Sequence, residues 1–185
     1  LVQYSHRLLG MPFLDAPVRK AMDSFARVYT SQVLRVRQVV NPAHPAHGQL
    51  GLFAGADIAS HSVLGEYTGV VTCKSRQSGA TSRYLVTLWS GKNLVVDVDA
   101  ELCGNEFRYM NDYRGTGADR PNVKLEASVF EGGWHVFVVA LFKIEKGCEL
   151  LVDYGEAYWR DHHPGLEARS WLAPPSRSAS SLGRT

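Results

Sequence analysis

Glu149-Leu150-Leu151-Val152-Asp153-Tyr154-Gly155 decides how this chain is read, together with two shorter blocks before it, Arg108-Tyr109-Met110-Asn111 and Pro121-Asn122-Val123. Taken singly, each block has a plain explanation. Asn111-Asp112 has the composition of a turn, because both side chains can hydrogen-bond nearby backbone. Tyr154, after an apolar run, reads as a buried tyrosine whose hydroxyl finds a partner. Their order and spacing, and the segments around them, say more than any block alone.

Outward from these blocks the chain is a series of short β patterns. Gly51-Leu52-Phe53-Ala54 reads as a strand, and Val63 to Thr72 as another. Tyr84 to Trp89 alternates and ends at Ser90-Gly91, and Leu94 to Val98 returns from that turn. Asn122 to Phe130 and His135 to Phe142 flank Glu131-Gly132-Gly133, a hairpin signal. Short strands separated by turn residues predict a mostly β domain. A short helix is expected over Glu156 to Asp161. Further out, Val18, Met22, Phe25, Ala26 and Tyr29 recur at helical spacing, with Asp15 as a cap and Pro17 in the first turn. Val33 to Val40 looks extended, and Asn41-Pro42-Ala43-His44-Pro45 breaks it. The expected organisation is an N-terminal, partly helical extension over 1–45, a main domain over 46–163, and a Ser/Arg/Pro-rich C-terminal tail over 164–185 that reads as disordered.

Composition narrows the class. The 185 residues are 45% apolar and 21% charged, which leaves room for an ordinary core. The aromatic residues can line a surface or fill that core. No run of about eighteen apolar residues suggests a membrane span, and Leu1 to Gly10 lacks the apolar stretch of a secretory leader. Residues 1–40 carry six Lys or Arg against two Asp, whereas 41–155 carry ten basic against thirteen acidic side chains. A mildly acidic body suits a basic peptide better than a nucleic acid, with an ordinary mixed surface as the alternative. Cys73, Cys103 and Cys148 are scattered and odd in number, so no disulfide framework or zinc site is expected, and an intracellular setting is. His44, His47, His162 and His163 read as solvated histidines rather than metal ligands. Walker loops, nucleophile elbows and triads are missing from the pattern. On these grounds alone the chain is a β-rich domain, and a binding module is its default description.

Four segments, in order, change that. Gln49 to Ala54, Glu66-Tyr67-Thr68-Gly69, Arg108 to Asn122 and Glu149 to Gly155 together resemble the SET domain, a protein-lysine methyltransferase fold. The resemblance spans roughly 48–159. It is to a stand-alone type without cysteine-rich flanking regions. It implies an α+β but mostly β fold of small sheets, short helices and a knot-like threading near the site, an exception to unknotted chains. It also implies a cofactor, S-adenosylmethionine, held by Gln49, Leu50 and Gly51 on the first strand, by Arg108, Tyr109, Asn111 and Asp112, and by Trp159, which with Tyr158 forms an aromatic pair covering the adenine. For Trp159, packing of the helix is the competing explanation. Tyr154 and Tyr67 take the catalytic roles, and Tyr67, Leu125, Val152 and Tyr154 the channel for the substrate lysine.

The chain departs from the family pattern in two blocks, the first because Gln49 stands where members often carry a second Gly. The usual third block is R-F-x-N-H-S-C-x-P-N; here Asp112 replaces the His, Tyr113 replaces the Ser, and the gap to Pro121 is longer. The resemblance lets Asp112 keep a main-chain contact to the adenine, and its carboxylate could attract a positive ligand. The implied substrate is a protein bearing lysine, a histone tail or a non-histone protein, with no direct nucleic-acid or membrane partner. Small viral members suggest a homodimer by analogy. An enzyme of this kind resides in the nucleus or cytoplasm. Val152 and Leu125 stand where other members carry bulkier aromatics, which implies a pocket with room for more than one methyl unless Tyr109 or Tyr113 fills it. The competing descriptions are a SET-like module that binds without catalysis, and an unrelated β-rich interaction module. The last requires Asn111 and Tyr154 to lie far apart.

Overall fold

The computed structural model describes residues 33–75, 82–130 and 132–162. The helix expected over Val18 to Tyr29, the tail from 164 and His163 lie outside the described residues. Among the described residues, ten strands and one α-helix follow in chain order: β1 (Leu34–Gln38), β2 (Leu50–Ala54), β3 (Val63–Glu66), β4 (Val70–Ser75), β5 (Leu85–Ser90), β6 (Leu94–Asp99), β7 (Asn111–Asp112), β8 (Val123–Phe130), β9 (Gly133–Ala140), β10 (Leu151–Val152) and α1 (Gly155–His162). A single 3-10 turn over Glu106–Tyr109 precedes β7.

The strands form four small sheets: β1-β2, β4-β6-β5, β3-β9-β8 and the two-residue parallel pair β10-β7. The first hairpin pairs Leu34 with Ala54 and Gln38 with Leu50, so the strand expected near Val33 to Val40 is bonded along its length to the glycine-containing one. The alternating segments over 85–90 and 94–99 pair as expected, and β8 and β9 close through the Gly132-Gly133 turn with Phe130 opposite Gly133. Gly132 has φ +80°, a conformation that costs glycine little.

One expected strand is two. Val63 to Thr72 breaks at Tyr67-Thr68-Gly69, and its halves join different sheets: β3 pairs with β9, and β4 with β6. The reason is tertiary. The Tyr67 N–H donates to Val136 O, and a Cβ at Gly69 would strike the backbone of Asp99 and Ala100. The chain therefore crosses from one sheet to the next where only glycine fits.

One core unites the sheets. Leu52, Ile58, Leu64, Val98, Phe107, Val136, Val138, Leu150 and Val152 are buried in a common cluster. Each fully buried aliphatic side chain contributes about 1.5–3 kcal/mol. Leu150 and Val152 come from the last described strand region, so that segment is part of the core. It is also hydrogen-bonded on several sides: Leu150 N–H donates to Leu52 O, Asn122 N–H to Leu151 O, and Tyr113 N–H to Val152 O. The Asn122 side chain adds two bonds, from its Nδ2 to Glu149 O at 2.7 Å and to its Oδ1 from Leu151 N–H at 2.8 Å. The final segment is thus held between β2 on one side and the 111–122 segment on the other.

No helix among the described residues is long and apolar enough to cross a membrane. Cys73, Cys103 and Cys148 are free and exposed. Among the described residues, no group of three His, Cys, Asp or Glu is placed to hold a metal ion.

Candidate active site

Parallel pairing of β7 with β10 sets Asn111 beside Leu151 and Asp112 beside Val152. The two chain-distant blocks therefore meet. Tyr154, two residues past this pairing, is bound at both ends by the 110–112 segment. Its N–H donates to Asp112 Oδ2 at 2.7 Å, and its hydroxyl donates to Met110 O at 2.7 Å. Gly155, at φ +82°, turns the chain directly into α1, and that helix lays Tyr158 against Tyr154 with ring centroids 4.6 Å apart. Tyr67, buried at the β3–β4 crossing, donates its hydroxyl to Tyr84 O at 2.9 Å.

Tyr67, Leu125, Val152 and Tyr154 all line one cavity of about 420 Å³. Tyr84, Phe107, Arg108, Met110 and Tyr158 line it too. The four residues expected to form a lysine channel thus share one space, and Tyr84 and Tyr158 add aromatic walls to it. Neither Tyr109 nor Tyr113 fills the channel. Arg108 lies between the Tyr84 and Tyr109 rings, 4.6 and 5.3 Å from their centroids, and Arg114 sits over the Tyr113 ring.

Burial raises the pKa of the Tyr154 phenol far above the ordinary value, with Tyr158 and Asp112 adding to the effect. Burial likewise raises Tyr67, against a smaller opposing pull from Arg108, and raises Tyr158. All three are therefore neutral at physiological pH. A pKa raised on folding gives stability that is present below the unfolded value of about 10 and is lost as pH rises beyond it. Thermal melts between pH 7 and 11 should show the melting temperature falling from about pH 10 upward. A Tyr154→Phe variant should lose part of that alkaline dependence.

A second cluster surrounds Asn111. Its Nδ2 donates to Glu149 Oε1 at 2.7 Å and to Leu50 O at 3.3 Å. Among the described residues nothing donates to its Oδ1. Gly51 lies in the same place, where a Cβ would come within 2.6 Å of Glu149 Oε1. The main-chain N–H of Gln49 donates to Ala46 O, and its C=O already accepts one bond, from Val39 N–H. The expectation that His44 is solvated is overturned: it is 7% exposed, and its Nε2 lies 3.2 Å from Glu149 Oε2. Its Nδ1 accepts the Ala46 N–H, and its buried Nε2 has no hydrogen-bond partner among the described residues. Burial of a loop histidine depends on where the loop folds, and the loop between β1 and β2 brings this one against Glu149. His47 is exposed.

A third cluster accounts for Asp112. It is 7% exposed and Arg114 8% exposed, so the departure from the family pattern faces inward. Arg114 Nη1 bonds Asp112 Oδ2 at 2.9 Å and Asp153 Oδ1 at 2.7 Å. The Arg114 N–H also donates to Asp112 Oδ1. Burial works against the Arg114 charge, but Asp153 and Asp112 outweigh it and hold its pKa above the ordinary value. The Asp112 carboxylate is thus committed to Arg114 and to the Tyr154 N–H. Arg114, missed in the sequence, left one signal: a cation two residues after an unexpected acid.

Trp159 on α1 stands edge-on to Tyr158, 5.7 Å away. Arg108 Nε is buried with no hydrogen-bond partner among the described residues.

Residues 49–155 match the SET domain family. The chain belongs to the SET domain family. This SET domain is also 31% identical over 142 residues to the histone-lysine N-methyltransferase MEDEA of Arabidopsis thaliana, an alignment covering 69% of this chain and 19% of the relative. The chain thus spans about a fifth of the length of that curated relative. The family match begins after β1 and after His44, so the hairpin that buries His44 lies partly outside the shared SET region.

Proposed function

We propose that this SET domain transfers a methyl group from S-adenosylmethionine to a lysine nitrogen of a protein substrate. The reading rests on one observation: Tyr67, Leu125, Val152 and Tyr154 line a single cavity, and the Asn111 segment holds Tyr154 at both ends. That contact also removes the unrelated β-rich module, which needed the two blocks far apart.

The residues present fit the cofactor. A sulfonium and an ammonium call for carboxylate, amide oxygen and aromatic faces, and Glu149, Asn111 Oδ1 and the tyrosine rings provide them. The unpaired Arg108 Nε in the cavity wall is a donor for a carboxylate or ribose oxygen. S-adenosylmethionine, when bound, supplies a methyl group that is already activated for transfer.

The chain's own residues supply position. The Tyr67 and Tyr154 hydroxyls both donate to main-chain carbonyls, so the remaining lone pairs of each phenol oxygen are free to accept. Phenol oxygens on the channel wall can accept N–H bonds from a neutral lysine amine and thereby aim its free electron pair. They can also accept weak C–H···O contacts from a methyl group. The aromatic walls desolvate the lysine, which lowers its pKa and yields the neutral amine that transfer requires. Alignment of this kind is worth about 7–11 kcal/mol of barrier. Val152 and Leu125 leave width near the amine, whereas Tyr84 and Tyr158 supply the bulk that Tyr109 and Tyr113 do not.

A histone tail is the first substrate to try, since the Arabidopsis relative is a histone-lysine methyltransferase by name. Such an enzyme works inside the cell. The test is incubation of the protein and labelled cofactor with histones and with whole-cell extract. Label transferred to lysine supports the reading; no label on any protein sinks it. The alternative, a SET-like module that binds without catalysis, draws on the Asn111 amide being already satisfied by Leu50 and Glu149. Calorimetry with S-adenosylmethionine separates the two, because a scaffold without cofactor binding gives no heat.

A further inference from the structure

We propose that Asp112, backed by Arg114, is a positioning residue for Tyr154, so that the departure from the family's histidine carries a task of its own in this chain. The proposal rests on the methyltransferase reading. Asp112 Oδ2 accepts the Tyr154 N–H at 2.7 Å and the Arg114 Nη1 at 2.9 Å, so one oxygen both holds the tyrosine and is held by the cation. The same Nη1 reaches Asp153 Oδ1 at 2.7 Å, and that oxygen also accepts the Gly155 N–H at 2.7 Å. The main chain is therefore held at Tyr154 and at Gly155 by an alternating set of charges, of which Asp112 and Arg114 are buried and Asp153 is exposed.

The arrangement has a geometric consequence. The Tyr154 hydroxyl is tied to Met110 O and its N–H to Asp112, so both anchors come from one three-residue stretch that includes Asn111. Any shift of Asp112 changes the angle at which the phenol enters the channel. A carboxylate in that place must be balanced, because a lone buried charge is costly. Arg114 provides the balance and fixes the carboxylate's rotation through two contacts, at 2.9 and 3.1 Å. The Asp112 carboxylate is engaged by Arg114 and by the Tyr154 N–H, so its work is on the protein side of the site.

The test compares two double variants, Asp112→Asn with Arg114→Met, and Asp112→Leu with Arg114→Met. Both lose the ion pair; only the first keeps an oxygen for the Tyr154 N–H. The Leu variant should show a kcat about 30- to 100-fold below the Asn variant, as expected for a displaced catalytic group, with peptide KM and cofactor affinity within about threefold. Equal kcat in the two overturns the proposal. A second readout needs no cofactor or substrate: hydrogen exchange at the Tyr154 amide should be about tenfold faster in the Leu variant, the loss of one hydrogen bond of about 1.4 kcal/mol. Unchanged exchange also overturns it. A wild-type protein that transfers no methyl at all refutes the methyltransferase reading, whereas the exchange result still decides the role of Asp112.

Discussion

Tyr154→Phe is expected to lower methyl transfer by about 100- to 1,000-fold, the range seen when one preorganised polar group is removed from a reacting centre. The ring stays, with its contacts to Tyr158 and the cavity wall, so binding of cofactor and peptide should change little. What goes is the phenol oxygen, the acceptor for the amine in the proposed reaction, and the bond to Met110 O. That carbonyl belongs to a buried residue, so orphaning it costs about 1–3 kcal/mol of stability. Rates must therefore be compared below the melting transition of both proteins. The decisive measurement is kcat under saturating cofactor and peptide, with calorimetry to show that cofactor affinity persists. A variant that keeps wild-type kcat removes Tyr154 from the chemistry.

Asn122→Ala should be the most destabilising single truncation near the site that leaves the cavity wall untouched. Asn122 is not among the cavity-lining residues, yet its side chain bonds Glu149 O and Leu151 N–H, both on the segment that leads into Tyr154. Alanine would orphan a carbonyl and an amide together, at about 2–4 kcal/mol in all. For a chain of this size that corresponds to a melting temperature lower by about 5–12 °C. Thermal melts check this, and Asn122→Asp sharpens it. Aspartate can still accept from Leu151 N–H but places a negative oxygen against Glu149 O, so it should fall as far as alanine or further. A shift below about 1 °C for alanine would mean that the segment is held by its apolar side chains alone.

Much of the fold was legible before any coordinate. β2, β5, β6 and β8 alternate or carry β-formers between turn residues, and their pairing follows the turns. The break between β3 and β4 was not legible, because Gly69 is needed for the closeness of Asp99, a neighbour distant in the chain. Nor were β7 and β10, since a two-residue strand has no period to read. In the site, the motif blocks pointed to Asn111 and Tyr154, which share one segment contact, and to Tyr67, which shares the cavity. Tyr84 and Tyr158 as channel walls, His44 beside Glu149, and Arg114 beneath Asp112 escaped notice. Each depends on a loop or helix returning to the site, and a return path leaves no local pattern. Asp112 was visible as an anomaly, but its partner was needed to give that anomaly a meaning.

The interleaving of Leu150 to Val152 between β2 and the 111–122 segment dictates an order of assembly. Those residues emerge last among the described strands, yet they complete a groove whose other walls come from far earlier in the chain. The frame must therefore wait, with an apolar slot open to solvent, until its final piece arrives. Contacts between such distant segments close slowly, because the intervening chain must first give up its freedom. A nascent chain stalled before residue 150 would present that slot to its neighbours, and sticking to them would compete with maturation. The price of a tightly seated phenol is thus levied during synthesis, when the protein is most exposed to misassembly.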